Sequence, residues 1–209
     1  MMIFVLGRPD SGKSKRAEEI ALERSKAGER IYLATMIPFG EEGKKRVEKH
    51  LKMRDGKGFI TVECPVNLRA LEKGSEMRSL MATESIGDGT EFRTLETGGN
   101  EPELMALAEC EDKLDMDVCL CLLECVSNLV GNEMHENGRE NWDNRRVAEY
   151  VVEEIKWLSE KVKDLVVVSN EFEIQDDFDE DTKRYVEICS LVNAELIRAA
   201  DKVERICCY

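Results

Sequence analysis

Apolar residues in this chain fall into short unbroken runs, separated by longer stretches in which they recur every three or four positions. The runs at residues 2–6 (MIFVL), 31–35 (IYLAT), 59–62 (FITV), 118–123 (VCLCLL) and 165–168 (LVVV) predict short strands buried on both faces. Between them, residues 13–26, 41–53, 145–163 and 182–200 carry helix formers with apolar positions on one face. In the first of these helices the apolar stripe is Ala17, Ile20 and Ala21, and Gly28 supplies a stop. Residues 203–208 are a candidate last strand. Strands alternating with amphipathic helices predict an α/β domain with a mostly parallel central sheet flanked by helices.

The pattern weakens between residues 71 and 116, where glycines, acids and short polar runs predict an irregular insertion with one short helix at 103–109. The acidic run at 176–181 (DDFDED) reads as a solvated turn. At 209 residues, 42% of them hydrophobic, the whole chain is expected to form a single domain around one substantial core.

Charge and cysteine content change this picture only at the margins. A formal charge of −14 argues against non-specific nucleic-acid binding and against an anionic membrane surface. It leaves nucleotides open, because a few backbone amides and one lysine can hold a phosphate inside an acidic protein. Eight cysteines contain no C-x-x-C pair and are not spaced with His50 or His135 as zinc ligands, so ordinary thiols in a reducing cytoplasm are expected. The first apolar run is too short for a secretory signal, and no apolar window is long enough to predict a membrane span.

Candidate chemistry begins at residues 7–14, GRPDSGKS, which spell G-x-x-x-x-G-K-S. Glycines at such spacing let successive backbone N–H groups face phosphate oxygens, and the following helix adds its positive end. Lys13 is placed to reach β- and γ-phosphate oxygens, and Ser14 to ligate Mg²⁺. The motif lies between a predicted buried strand and a predicted helix, the context a P-loop requires. Asp10 adds negative charge beside the phosphates and is expected to face solvent or a cation. A P-loop enzyme also needs an acid at the end of a second buried strand, and Glu124, directly after VCLCLL, is the candidate metal partner to Ser14. These residues by themselves predict phosphoryl transfer or nucleotide hydrolysis, and no more.

Further stretches, in order along the chain, resemble one family. They are LGRPDSGKSKRAEE, YLAT, RVEKHLKMR followed by FITVECPVNL, LLECVSNLVGNEM, VVVSNE and LVNAELIRAADKV. Together they are similar to the bifunctional adenosylcobinamide kinase/adenosylcobinamide-phosphate guanylyltransferases of cobalamin biosynthesis, enzymes of the P-loop NTPase type. The resemblance implies phosphorylation of the aminopropanol hydroxyl of adenosylcobinamide by ATP or GTP. It then implies transfer of GMP from GTP, through a guanylylated histidine, to the phosphorylated corrinoid.

In the family's R-[IV]-x-x-H-x-x-x-R stretch, here Arg46 to Arg54, the histidine that becomes guanylylated corresponds to His50. Without the resemblance, a single histidine on a charged helix reads as a surface residue. The family's nucleotide contacts carry over to Gly7, Arg8, Pro9, Asp10, Ser11, Gly12, Lys13 and Ser14, to Ala34 and Thr35, to Leu51, Lys52, Met53 and Arg54, and to Glu63 and Glu124. Asn170 and Glu171 match an N-E pair expected to line the site. Relatives assemble as symmetric homo-oligomers, described as trimers, which the last two helices would support here. The 71–116 stretch is longer than in typical members, and Phe172-Glu173 stands where relatives carry a small residue and glycine. Two other readings stay open: a P-loop small-molecule kinase without the guanylyl step, and a nucleotide-binding regulator without transfer chemistry.

Overall fold

A computed structural model describes residues 1–26, 30–38, 40–72 and 119–207. The strands are β1 (Met2–Gly7), β2 (Arg30–Ala34), β3 (Phe59–Glu63), β4 (Leu120–Leu123), β5 (Asp164–Asn170) and β6 (Lys202–Ile206). The helices are α1 (Lys13–Arg24), α2 (Gly40–Arg54), α3 (Val126–Met134), α4 (Asn144–Lys161) and α5 (Glu180–Ala199), with a 3-10 turn at Leu68–Glu72.

The strands form one six-stranded sheet in the order β3-β2-β4-β5-β1-β6, and every pairing is parallel. The unbroken apolar runs explain this, since a parallel sheet must bury both faces. On one face Ile3, Val5, Tyr32, Leu120, Leu122, Val166 and Val168 pack against Ala17, Ile20 and Ala21 of α1. On the other, Phe4, Leu6, Leu33, Leu123 and Val167 pack with residues of α3, α4 and α5, including Val130, Val151, Ile155 and Val192. Because all strands run the same way, the ends of β1, β2, β3, β4 and β5 lie along one edge. Register fixes this: Gly7 opposes Asn170, Ala34 opposes Glu63, and Leu33 opposes Leu123. Open α/β sheets place their ligands at that carboxyl edge.

The expected strands and long helices are found with ends shifted by a few residues. Helix α3 and the 3-10 turn are not in the sequence reading. Helix α3 is short and carries Ser127, Asn128, Gly131 and Asn132, which lower its intrinsic propensity. Packing of Val126, Leu129, Val130 and Met134 overrides that. The acidic 176–181 run is more than a turn: Asp179 caps α5, accepting from Thr182 N–H at 2.7 Å, and Glu180 and Asp181 sit against the positive helix end. Residues 71 and 72 close the 3-10 turn; the rest of the 71–116 stretch, with the helix expected at 103–109, lies outside the described residues. No described helix is long and apolar enough to cross a membrane.

Strand β6 is an edge strand with exposed side chains, and an ion pair tethers it to α1. Arg16 Nε donates to Glu204 Oε2 at 2.8 Å, and Lys202 Nζ donates to Glu204 Oε1 at 2.7 Å. Hydrogen bonds from Arg16 and then Lys202 pull the Glu204 carboxyl down from its ordinary 4.5 to about 2. A depressed carboxyl stabilises the fold above its unfolded value and loses that contribution as pH falls through its folded value. Glu204→Gln is therefore expected to lower stability by about 1 kcal/mol near neutral pH. In denaturant titrations at successive pH values, the gap from wild type should close between 4.5 and about 2.

Candidate active site

Strand β1 delivers Gly7 to the carboxyl edge, the loop turns through residues 8–12, and α1 starts at Lys13. Two loop residues adopt left-handed backbone: Gly12 at φ 87° and Asp10 at φ 58°. Glycine takes that region freely, and aspartate is among the few other residues that tolerate it. This accounts for Asp10 as a residue that tolerates the loop's shape, and it is exposed. Gly12 has no side chain to cap α1, which leaves the first-turn N–H groups facing the loop. Lys13 is buried and its Nζ donates to Arg8 carbonyl at 3.0 Å, folding the lysine back across the loop. The Arg8 side chain leaves the loop to pair with Glu173. Ser14 is half-buried at the start of the helix and Pro9 is exposed.

Close packing constrains the loop's base. A Cβ on Gly7 would stand 2.7 Å from Ile206 carbonyl and 2.7 Å from Ser11 Oγ. Glu171 N–H donates to Gly7 carbonyl at 2.9 Å, and Asn170 N–H to Ser127 Oγ at 3.1 Å, stitching the end of β5 to β1 and α3.

A second cluster forms where β2 and β4 end. Glu124 follows β4, and its N–H donates to Leu33 carbonyl at 3.1 Å, extending the ladder with β2 by one residue. Its side chain is only 8% exposed. His50, on α2, brings Nδ1 within 3.4 Å of Glu124 Oε1 and within 3.4 Å of the Tyr32 hydroxyl. Arg54 lies one helical turn beyond His50 on the same face of α2. Its guanidinium stacks on Tyr32 with Cζ 3.5 Å from the ring centroid, and Nη2 donates to Thr61 Oγ1 at 3.4 Å. Thr35 is fully buried: its hydroxyl donates to Cys125 carbonyl at 2.9 Å, and its carbonyl accepts from Asn132 Nδ2 at 2.8 Å. Asn132 also donates to Pro65 carbonyl at 2.9 Å, tying the ends of β2 and β3 together.

Electrostatics follow from this burial. Burial pushes the Glu124 carboxyl above the usual carboxylate range, while His50, Arg54, the Tyr32 hydroxyl and the Thr35 amide pull it back. Tyr32 is held well above the ordinary phenol range, first by burial and then by the Glu124 charge, so it stays a hydroxyl. Glu63, half-buried, is raised by desolvation alone.

The residues proposed from sequence thus fall into two groups on one edge. Residues 7–14 sit at the end of β1; His50, Arg54, Thr35 and Glu124 gather at the ends of β2 and β4, with Ala34 paired to Glu63 beside them. Strand β5 lies between β4 and β1, so the backbones of β4 and β1 run about 10 Å apart at this edge. Leu51 is half-buried and Lys52 exposed on α2, while the side chains of Met53 and Arg46 lie outside the described residues. Sequence reasoning passed over Tyr32 and Asn132. Tyr32 sits inside an apolar run, where its hydroxyl was the one available signal.

The chain matches the family model described as cobinamide kinase / cobinamide phosphate guanyltransferase over residues 3–90 and 76–208. It belongs to that family. No curated protein matches the chain. The two segments matched to the cobinamide kinase/guanyltransferase family overlap at residues 76–90, inside the 71–116 stretch. Family membership identifies an α/β enzyme of cobalamin biosynthesis with two activities, a cobinamide kinase and a guanyltransferase.

The packing around Gly7 gives a direct test of the loop's geometry. Gly7→Ala must displace Ile206 backbone or the Ser11 side chain, and overpacking of this kind costs about 1–3 kcal/mol. Thermal denaturation should register a lower midpoint for this variant; an unchanged midpoint would show that the loop and β6 are not packed as described.

Proposed function

We propose that this enzyme carries out both family reactions at the carboxyl edge, with residues 7–14 holding the triphosphate and His50 accepting GMP. The observation that carries this reading is the pairing of His50 with buried Glu124 on the same sheet edge as the phosphate loop. In the first reaction the aminopropanol hydroxyl of adenosylcobinamide attacks the γ-phosphorus of ATP or GTP, and the nucleoside diphosphate leaves. In the second, the His50 imidazole attacks the α-phosphorus of GTP and pyrophosphate leaves, giving a phosphoramidate. A phosphate oxygen of adenosylcobinamide phosphate then attacks that phosphorus, the P–N bond breaks toward a protonated imidazole, and adenosylcobinamide-GDP is released.

The surrounding residues suit these steps. Lys13 and the α1 end place positive charge on the phosphates. Glu124 beside His50 compensates the charge that appears on the imidazole during transfer, which a low-dielectric site makes worth more than in water. Arg54 Nε is buried and has no hydrogen-bond partner among the described residues, so this guanidinium retains donor capacity for a phosphate oxygen. Ala34, Thr35, Leu51, Lys52, Met53 and Glu63 complete the nucleotide contacts that we propose. Ser14 and Glu124 offer a hydroxyl and a carboxylate, hard oxygen donors of the kind Mg²⁺ takes together with phosphate and water. Among the described residues no group of three or more His, Cys, Asp or Glu side chains forms a metal cage, which fits an ion brought in with the triphosphate. Bound there, Mg²⁺ would supply charge neutralisation on the triphosphate. We also propose a symmetric homo-oligomer, a trimer, using α5, whose Leu191 and Ile197 are 38% and 37% exposed.

Intact-mass spectrometry after incubation with GTP and Mg²⁺ should find an acid-labile GMP adduct on wild type and none on His50→Ala. Equal labelling of His50→Ala, or an unlabelled wild type, would rule out the guanylyl step. Lys13→Ala should lose triphosphate binding by at least about 100-fold, measured by calorimetry with GTP.

A further inference from the structure

We propose that the loop leaving β5 holds the corrinoid acceptor, with Ile174 as its apolar contact, an assignment that rests on the two-reaction reading above. That reading sets a geometric requirement. One acceptor must first bring its hydroxyl to a γ-phosphorus held at residues 7–14. Its new phosphate must then reach a GMP carried by His50. Each attacking oxygen has to come within about 3.5 Å of phosphorus, so the body of the acceptor must border both groups.

The sheet order says which element does so. Strand β5 lies between β4, which leads to Glu124, and β1, which leads to residues 7–14. The connection after β4 is Glu124 and Cys125 alone before α3 begins. The connection after β5 runs from 171 to 179, long enough to offer a surface to a large molecule. It is also fastened to its neighbours. Glu171 N–H donates to Gly7 carbonyl, and Glu173 pairs with Arg8 of the 7–14 loop. Arg205 of β6 pairs with Glu171 at 2.9 Å. Phe172 packs on Tyr185 of α5 with ring centroids 5.6 Å apart. The loop is therefore a fixed wall beside residues 7–14.

What this wall offers is apolar and anionic. Ile174 is 60% exposed, more than any other large hydrophobic side chain among the described residues. An exposed isoleucine is ordinary elsewhere on a surface; this one follows directly on the residue tied to Arg8. Asp176 and Asp177, just beyond it, are exposed, and from 171 to 181 the chain carries seven acids and no base. Adenosylcobinamide suits both features. Its corrin is a broad, largely apolar disc with neutral amide arms. Cobalt(III) bound by one corrin anion and one alkyl ligand leaves it a net cation. The phosphate it gains sits at the end of the aminopropanol arm, away from the disc. A small anionic acceptor would be repelled by the same loop.

Equilibrium dialysis of adenosylcobinamide in the dark, followed by its visible absorbance, reads the acceptor site directly. Ile174→Ser should weaken cobinamide binding and raise its KM in the kinase reaction about 10-fold, while the KM for ATP moves less than about 2-fold. Asp176→Lys combined with Asp177→Lys should raise the cobinamide KM about 3–10-fold, and by less at high salt, because exposed charges are screened. These positions are exposed, so thermal midpoints should stay close to wild type. Cobinamide binding and KM within about 2-fold of wild type in Ile174→Ser, or an effect confined to ATP, would overturn the assignment. If wild type neither binds nor phosphorylates adenosylcobinamide, the kinase reading itself fails and this assignment falls with it.

Discussion

The hydrogen bond from Glu124 N–H to Leu33 carbonyl is the contact on which the site's geometry turns. It carries the β2–β4 ladder one residue past the end of β4 and so fixes Glu124 against the strand that holds Tyr32. Thr35 repeats the tie from the other side, its hydroxyl on Cys125 carbonyl. With β2 and β4 locked in register, a carboxylate, a phenol and, from above, an imidazole and a guanidinium converge on a few ångströms. None of these groups would be well placed if the two strands slid by a residue, because a one-residue slip turns every side chain to the other face.

Burying charge in this manner is costly unless each group is compensated. The molecule uses the same solution in several places. Glu124 is faced by His50, Arg54 and Tyr32; Glu133, fully buried, pairs with Arg139 and accepts Asn67 N–H at 2.7 Å; Glu154 accepts both the backbone and side chain of Arg69. The last two fasten the 3-10 turn after β3 onto α3 and α4. Acidic residues thus do two distinct jobs here. Many of the described acids lie in solvent, whereas these few organise loops at the carboxyl edge or beneath it.

The tight turn at residues 7–14 between β1 and α1 was legible in the sequence because its glycines are contiguous with a buried strand and a helix. The parallel sheet was legible because burial on both faces leaves unbroken apolar runs in β1, β4 and β5. Glu124 was found as an acid at a strand end, yet its closeness to His50 was not, since β2 pairs with β4 as well as β3 and that lateral order leaves no trace in local pattern. Helix α3 was missed because its polar small residues mask a stripe that only packing completes. Asp179 was hidden in an acidic run, where composition suggests solvent and the cap depends on one backbone amide. His50 itself came from resemblance to a family and not from physics, since a histidine on a charged helix says nothing of where the helix lies.

The order of the sheet also bears on how the molecule is made. Strand β1 is first in the chain, but its two neighbours are β5 and β6, the last two strands. The loop after it leans on Ile206, and its backbone partners lie more than 160 residues downstream. On a ribosome the loop sequence emerges early and waits, unable to take its shape, until nearly the whole chain has followed. Such long-range closure slows folding and leaves an apolar strand uncovered meanwhile. It also means that a truncated product lacking β6 would lack the strand on which Gly7 and the start of its loop are packed.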